Sequence, residues 1–400
     1  PIATDFTVHV PEGYTWQPVA KWGQPLFSDA APLNQQTGVD LASSDRVFGE
    51  NTDGMELFSI GGRQVIAVNH EYVNPDINLP HTGGETTSAD DARILQNMQG
   101  VTVMEVAEGA NGWDIVVDSP FNRRITQNTP MTFSGPAAGH PLLQTAADPE
   151  GMTVLGTFNN CGSGKTPWGT YLTCEENFNG YFGSTDAAFA RPDDYVRYGI
   201  GLESRYGYEK FDARFDVSQN VNEPRRQGYV VEIDPSDATS TPVKHTALGR
   251  FKHENAAVVV ARDGRVVVYL GDDERGEFLY KFVSAGVYTP GGDTSSLLSD
   301  GQLYVARFAT DMTGEWVALT PEATGMDAAE IAVYTRVAAS RVGATTMDRP
   351  EWVAVNPVAI EGYCALTNNS RRGADATNAG GDAMQAVENS PNPREANRYG

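Results

Sequence analysis

Apolar residues along this chain fall in short runs rather than in long periodic stretches. Helical spacing is sustained in two places, 88–98 and 326–338. Elsewhere β-branched and aromatic runs of strand length are separated by Gly, Pro, Asn and Asp, and the chain holds 41 Gly and 23 Pro. Runs of that length bounded by turn formers predict an all-β chain with inserted loops and short helices.

Four of the runs resemble one another. They are Val65-Ile-Ala-Val-Asn-His-Glu71, Thr170-Tyr-Leu-Thr-Cys-Glu-Glu176, Val267-Val-Tyr-Leu-Gly-Asp-Asp-Glu274 and Tyr363-Cys-Ala-Leu-Thr-Asn-Asn369. Each is an apolar strand closing on polar or acidic residues. Their starts lie about a hundred residues apart, room for a four-stranded propeller blade plus an insertion. The last two repeats extend upstream. Lys252-His-Glu-Asn leads through Asp263-Gly264 into the third, and Arg349-Pro-Glu-Trp leads through Ala359–Gly362 into the fourth. A hairpin sets the start of its first strand beside the end of its second. Glu254 is therefore expected near Asp272 and Asp273, and Glu351 near Asn368 and Asn369. Innermost propeller strands line a central channel, where such groups from several blades converge. One Asp or Asn at a strand end is an ordinary turn residue; four such ends rich in acids point to a site.

Charge adds a requirement. The chain carries 52 acidic against 29 basic residues, a net charge of -23, with lysine only at 21, 165, 210, 244, 252 and 281. Such a surface repels nucleic acid and anionic membranes. It accepts an anionic substrate only if bound cations reverse the local sign. A solvated acidic surface suited to salt is the competing reading. No apolar run reaches 18 residues, and no secretory leader precedes Pro1, so the chain is either cytosolic or has lost a signal.

Glu175, Glu176 and Asn177 are hard oxygen donors suited to calcium or ferric iron. Cys161 lies in a Gly-rich loop beside Asn159 and Asn160. Three cysteines make no disulfide framework. Cys174 and Cys364 lie in apolar strands and read as buried small hydrophobes; a Cys161–Cys174 pairing is not favoured by spacing. Gly164-Lys165-Thr166 is followed by Pro167 and a strand, which argues against a nucleotide-binding P-loop. There is no G-x-S-x-G, and none of the six histidines pairs as H-x-x-x-H. His70 and His253 each precede a Glu, a placement that fits either support of a site or a structural role. Arg123, Arg124, Arg349, Arg371 and Arg372 lie next to strand ends or acidic motifs, where a guanidinium fork suits phosphate oxygens or neighbouring acids.

At Pro167-Trp-Gly-Thr-Tyr-Leu-Thr-Cys-Glu-Glu-Asn177 the chain resembles the PhoX family of alkaline phosphatases. The resemblance continues, in order, through Asn69-His-Glu-Tyr72, Ser119–Thr126, Thr129-Pro-Met131, Ser134–His140, Glu232–Pro235, Ala247–Glu254, Gly271–Arg275, Tyr280–Phe282, Leu366–Asn369 and Ser390-Pro-Asn-Pro393. It implies one β-propeller domain over 1–400, six-bladed when complete, monomeric, and exported folded by the twin-arginine route to the periplasm or beyond. It implies hydrolysis of phosphate monoesters with two ferric ions, three calcium ions and a bridging oxo group. Cys161 matches the iron-ligating cysteine, and Glu254 and Glu351 match metal-binding carboxylates. Glu175 and Glu176 match the acidic pair beside the cluster, and Arg349 matches the arginine on the substrate phosphate. Asp272, Asp273 and Glu71 join the metal set mainly through the strand-end argument, and Arg123 and Arg124 are candidate phosphate contacts. Members of the family run longer than this chain, so further metal-ligating aspartates are expected beyond Gly400. In the enzyme reading, a metal-bound oxo or hydroxide attacks phosphorus. Two other readings stay open: a calcium propeller hydrolase such as a lactonase or phytase, and a calcium-stabilised binding propeller without catalysis.

Overall fold

A computed structural model describes residues 7–384 except 111 and 310, so Ser390–Pro393 and the last residues lie outside the described part. The first sheet contains β1 (Thr52–Ile60), β2 (Arg63–His70), β3 (Gly100–Gly109) and β4 (Gly112–Ile115), with β5 (Arg123–Ile125) also on β3. The second contains β6 (Pro130–Ser134), β7 (Thr153–Leu155), β8 (Asn160–Lys165), β9 (Tyr171–Glu175), β10 (Val230–Ile233) and β11 (Val243–His245), in the order β7-β6-β11-β10-β9-β8. The third contains β12 (His253–Val260) and β13 (Arg265–Asp272). The short β14 (Arg275–Glu277) stands aside. The sheet then continues through β15 (Leu279–Val287), β16 (Gly301–Phe308) and β17 (Gly314–Ala318). β18 (Met347–Asp348) pairs with β14, and β19 (Pro350–Val355) with β20 (Gly362–Leu366) forms a hairpin.

The fold is all-β and propeller-like, as the repeats predict. Every repeat is the outgoing strand of a hairpin: β1–β2, β8–β9, β12–β13 and β19–β20, all antiparallel. The first strands pack in sequence, β1 on β8, β8 on β12 and β12 on β19. Two glycines permit this. A Cβ on Gly54 would lie 2.6 Å from the Gly162 carbonyl carbon, and one on Gly162 would lie 2.0 Å from the Glu254 carbonyl oxygen. No side chain fits between these backbones. β13 reads Val266-Val-Val and is buried there, packed between other strands.

The first expected helix forms as Ala89–Asn97, with the Ser88 hydroxyl accepting from the Asp91 N–H as N-cap. The second breaks in two, Ala328–Val333 and Thr335–Arg341, because Tyr334 adopts a non-helical conformation between them. Between β9 and β10 a long insertion folds over the blades. Its Phe178, Tyr181, Tyr206, Tyr208 and Phe215 form an aromatic core with Phe158. Among the described residues no helix is long and apolar enough to cross a membrane.

Candidate active site

The four hairpins share one local geometry. In each, a pair of residues is in register at the hairpin's open end: Thr52 with His70, Asn160 with Glu175, His253 with Asp272, and Pro350 with Leu366. Immediately afterwards the first strand bulges, and pairing resumes at Met55, Ser163, Ala256 and Val353. A bulge re-aims the side chains within it. The residue that follows the paired one is Asp53, Cys161, Glu254 or Glu351. Just past the second strand, Glu71, Glu176 and Asp273 each donate their backbone N–H to Asn51, Asn159 and Lys252 carbonyls at 3.0 Å, and Thr367 donates to Arg349 O at 3.4 Å. Three of those four acceptors have left-handed backbone: Asn51, Asn159 and Arg349, with φ of 42°, 49° and 54°. Asn tolerates that region; an arginine held there is strained.

The result is a group of acids around one thiol. Ligand atoms of Asp53, Glu71 and Cys161 lie within 4.8 Å of one another, and so do those of Cys161, Glu176 and Glu254. Cys161 belongs to both groups. Its Sγ donates to Asp53 Oδ2 at 3.5 Å. Its bulge is held from blade one by Asn69, whose Nδ2 donates to the carbonyls of Cys161 at 2.6 Å and Gly162 at 2.9 Å. Asn69 Oδ1 in turn accepts from the hydroxyls of Tyr171 and Thr173, both at 2.8 Å. Asn255 holds the next bulge, donating to Val353 O at 3.0 Å and accepting from Val353 N at 2.8 Å.

Burial and mutual repulsion disfavour negative charge here. Burial, with Asp53 and Asp273 nearby, raises Glu71 to about 7. Burial, with Asp273, Glu351 and Asp53, raises Glu254 to about 8. Burial and Glu254 push Glu176 well up, burial and Asp273 raise Glu351, and burial with Glu254 and Glu176 pushes the Cys161 thiol up. Glu254 Oε2 is buried with no hydrogen-bond partner. Acids arranged this way lack only positive charge. One thiolate among carboxylates suits a transition metal such as iron, and carboxylate-only positions suit calcium. The residues therefore fit metal ions.

Arg349 forks onto Asp273, Nε to Oδ1 and Nη2 to Oδ2, both at 2.8 Å, and lies 3.8 Å from Glu351 Oε1. Other expected residues are placed elsewhere. The Glu175 carboxylate accepts from Lys244 Nζ at 2.8 Å and from the N–H groups of Phe158, Gly228 and Tyr229 at 2.8–3.0 Å, so its acceptor positions are filled by the protein. Asp272 is likewise forked by Arg336 at 2.6 and 2.8 Å, in a buried network with Glu277 and Arg197. Arg124 is buried on β5, donating to Thr102, Asn97 and Gln99. Arg123 donates to Ser240, in the connection between β10 and β11 of the second sheet. Arg372 is buried against Asp348, and Arg371 pairs with Asp375. None of these six joins the group around Cys161. His70 and His253 are walls: His70 bonds Glu50 O and Thr102 Oγ1, His253 bonds Gly249 O, and burial holds both neutral, His253 at about 3. All three cysteines are free thiols.

Asp53 is the residue of this group that motif reading missed. Asp53-Gly54 looks like a turn dipeptide, yet the equivalence with Cys161-Gly162 would have found it.

A family model described as Alkaline phosphatase PhoX matches residues 2–400. Among solved structures, one described as Pseudomonas fluorescens PhoX in complex with vanadate, a transition state analogue, is 46% identical, with a TM-score of 0.90. The match covers 97% of this chain and 69% of that one. No curated protein matches the chain.

Proposed function

The chain belongs to the PhoX family of alkaline phosphatases and hydrolyses phosphate monoesters, and we propose that it does so at the group of side chains around Cys161, the pocket of this reading, with metal ions held there. One observation carries this reading. Two three-ligand groups overlap at Cys161, and Glu254 Oε2 among them is buried with no hydrogen-bond partner. Cys161, Asp53, Glu71, Glu176 and Glu254 would hold the cations, with Glu351 and Asp273 at the edge. The specific set we propose is the mixed iron and calcium one, with iron at the thiolate. When bound, the cations supply charge neutralisation for a phosphoryl group and Lewis acidity toward water and the leaving oxygen.

The remaining work falls to the chain. Arg349 uses its Nε–H and one Nη2–H on Asp273, which leaves three of its five N–H groups for phosphoryl oxygens. Asp273 thereby orients the fork. The bulges fix Asp53, Cys161, Glu254 and Glu351 within strands, and Glu71, Glu176 and Asp273 follow directly on strand ends. Asn69 and Asn255 lock the bulges, and the insertion's aromatic core covers the blade-two side. No serine or histidine nucleophile is needed in this scheme. Export through the twin-arginine route belongs to the same proposal, and cell fractionation tests it.

The test pairs metal analysis of pure protein with p-nitrophenyl phosphate hydrolysis, in wild type and Cys161→Ala. We expect iron to leave with the thiol and turnover to collapse, by roughly a hundredfold or more. Full activity with unchanged iron in the variant overturns the assignment.

A further inference from the structure

Three cations stand by the pocket, and they are committed to different degrees. Arg349 is forked onto Asp273. Lys252 is buried and pairs with Glu274 at 2.7 Å. Arg205, from the insertion, is exposed, and among the described residues no carboxylate pairs with it. Its guanidinium carbon sits 4.9 Å from the Tyr72 ring centroid and 5.3 Å from that of Tyr206. Its backbone is tied down by a 2.8 Å bond from its N–H to Gly180 O. Stacking on ring faces holds a guanidinium in place while leaving its N–H edge free to donate.

Tyr72 follows Glu71 directly, so the ring on which Arg205 stacks is next in the chain to a residue of the group around Cys161. The insertion reaches Glu71 at this point: Tyr181, next to the Gly180 that holds the Arg205 backbone, donates its hydroxyl to Glu71 O at 3.4 Å. Cys161, Glu176 and Glu254 are buried, so the phosphoryl group enters toward them. What remains outside, at the level of an exposed Arg205, is the ester's leaving portion. On a chain of net charge -23 a second anionic group there would be repelled unless a cation received it.

We propose that Arg205 is a specificity-determining residue that pairs with an anionic group, a carboxylate or second phosphate, on the leaving portion of the ester; this rests on the pocket around Cys161 being the site of hydrolysis. The preferred substrates are therefore phosphate esters of acids or of further phosphates rather than of neutral alcohols.

The experiment uses the full, metal-loaded chain as wild type, Arg205→Gln and Arg205→Lys. Two substrates are compared: p-nitrophenyl phosphate, with no second anion, and 3-phosphoglycerate, with a carboxylate on its leaving portion. Arg205→Gln is expected to lower kcat/KM for 3-phosphoglycerate roughly tenfold or more, mainly through KM. It is expected to leave p-nitrophenyl phosphate within about twofold, which also shows that the variant is folded. Arg205→Lys is expected to restore part of the loss. Equal losses on both substrates, or none on either, overturn the proposal. A wild type that loads metal yet hydrolyses neither ester would overturn the pocket reading beneath it, and this proposal with it.

Discussion

Glu175 and Glu176 are consecutive and both buried, yet only Glu175 has its charge balanced by a direct side-chain partner, Lys244. Consecutive strand residues face opposite sides. Glu175 is the last residue of β9 and turns into the wall; Glu176, one past it, turns into the pocket. The same holds for Asp272, which meets Arg336, and Asp273, which meets Arg349. Glu175→Gln is therefore expected to cost about 3 kcal/mol in chemical denaturation, because it strands a buried lysine, while bound metal is retained. Glu176→Gln is expected to do the reverse, folding normally and losing metal; elemental analysis separates them. Arg349→Ala is expected to lower kcat/KM for p-nitrophenyl phosphate by roughly tenfold to a hundredfold with little change in stability. Cys161, Glu176, Glu254 and Glu71 were legible from strand ends and from resemblance. Which of two adjacent acids faces the pocket was not, since it depends on where each bulge falls. Arg123 and Arg124 look like phosphate forks in sequence, but their strand carries them to the other edge of blade one.

At the level of elements, the hairpins were legible because apolar runs and polar ends repeat. The bulges were not, because a bulge changes pairing without changing composition. They depend on close backbone approach, which makes glycine the exposed point. Gly162→Ala is expected to force β8 from β12, lowering stability by about 1–3 kcal/mol and reducing bound metal. Gly180→Ala, with open space around its would-be Cβ, is the control and is expected to do neither. The insertion was foreseen only as extra length. It is fastened partly by Asp216. Burial pushes the Asp216 carboxyl up, but hydrogen bonds from Ser218, Thr185 and Gln219 outweigh it and hold its pKa at about 2. A depressed carboxyl stabilises the fold above its unfolded value of 3.8, and that contribution fades as pH falls toward 2. The stability gap between wild type and Asp216→Asn, read from unfolding midpoints, is expected to be full at pH 5 and to narrow below pH 4.

Across the whole molecule, the acid excess that composition displays has a local meaning. Much of it is solvated surface, but a share is gathered at the hairpin ends, where Glu175, Asp272 and Asp273 meet Lys244, Arg336 and Arg349 while Glu176 and Glu254 are buried beside Cys161. Propeller geometry explains how residues about a hundred positions apart, Asp53, Cys161, Glu254 and Glu351, come to equivalent places in successive hairpins. Cations that bind there stabilise the folded state by mass action, so chelation is expected to lower the melting temperature along with activity. The most direct test of the central claim is anomalous diffraction at the iron edge from crystals of protein shown to hydrolyse p-nitrophenyl phosphate. The account predicts an anomalous peak within bonding distance of Cys161 Sγ, flanked by Asp53, Glu71, Glu176 and Glu254. An active protein whose metal lies elsewhere, with Cys161 unliganded, would contradict it.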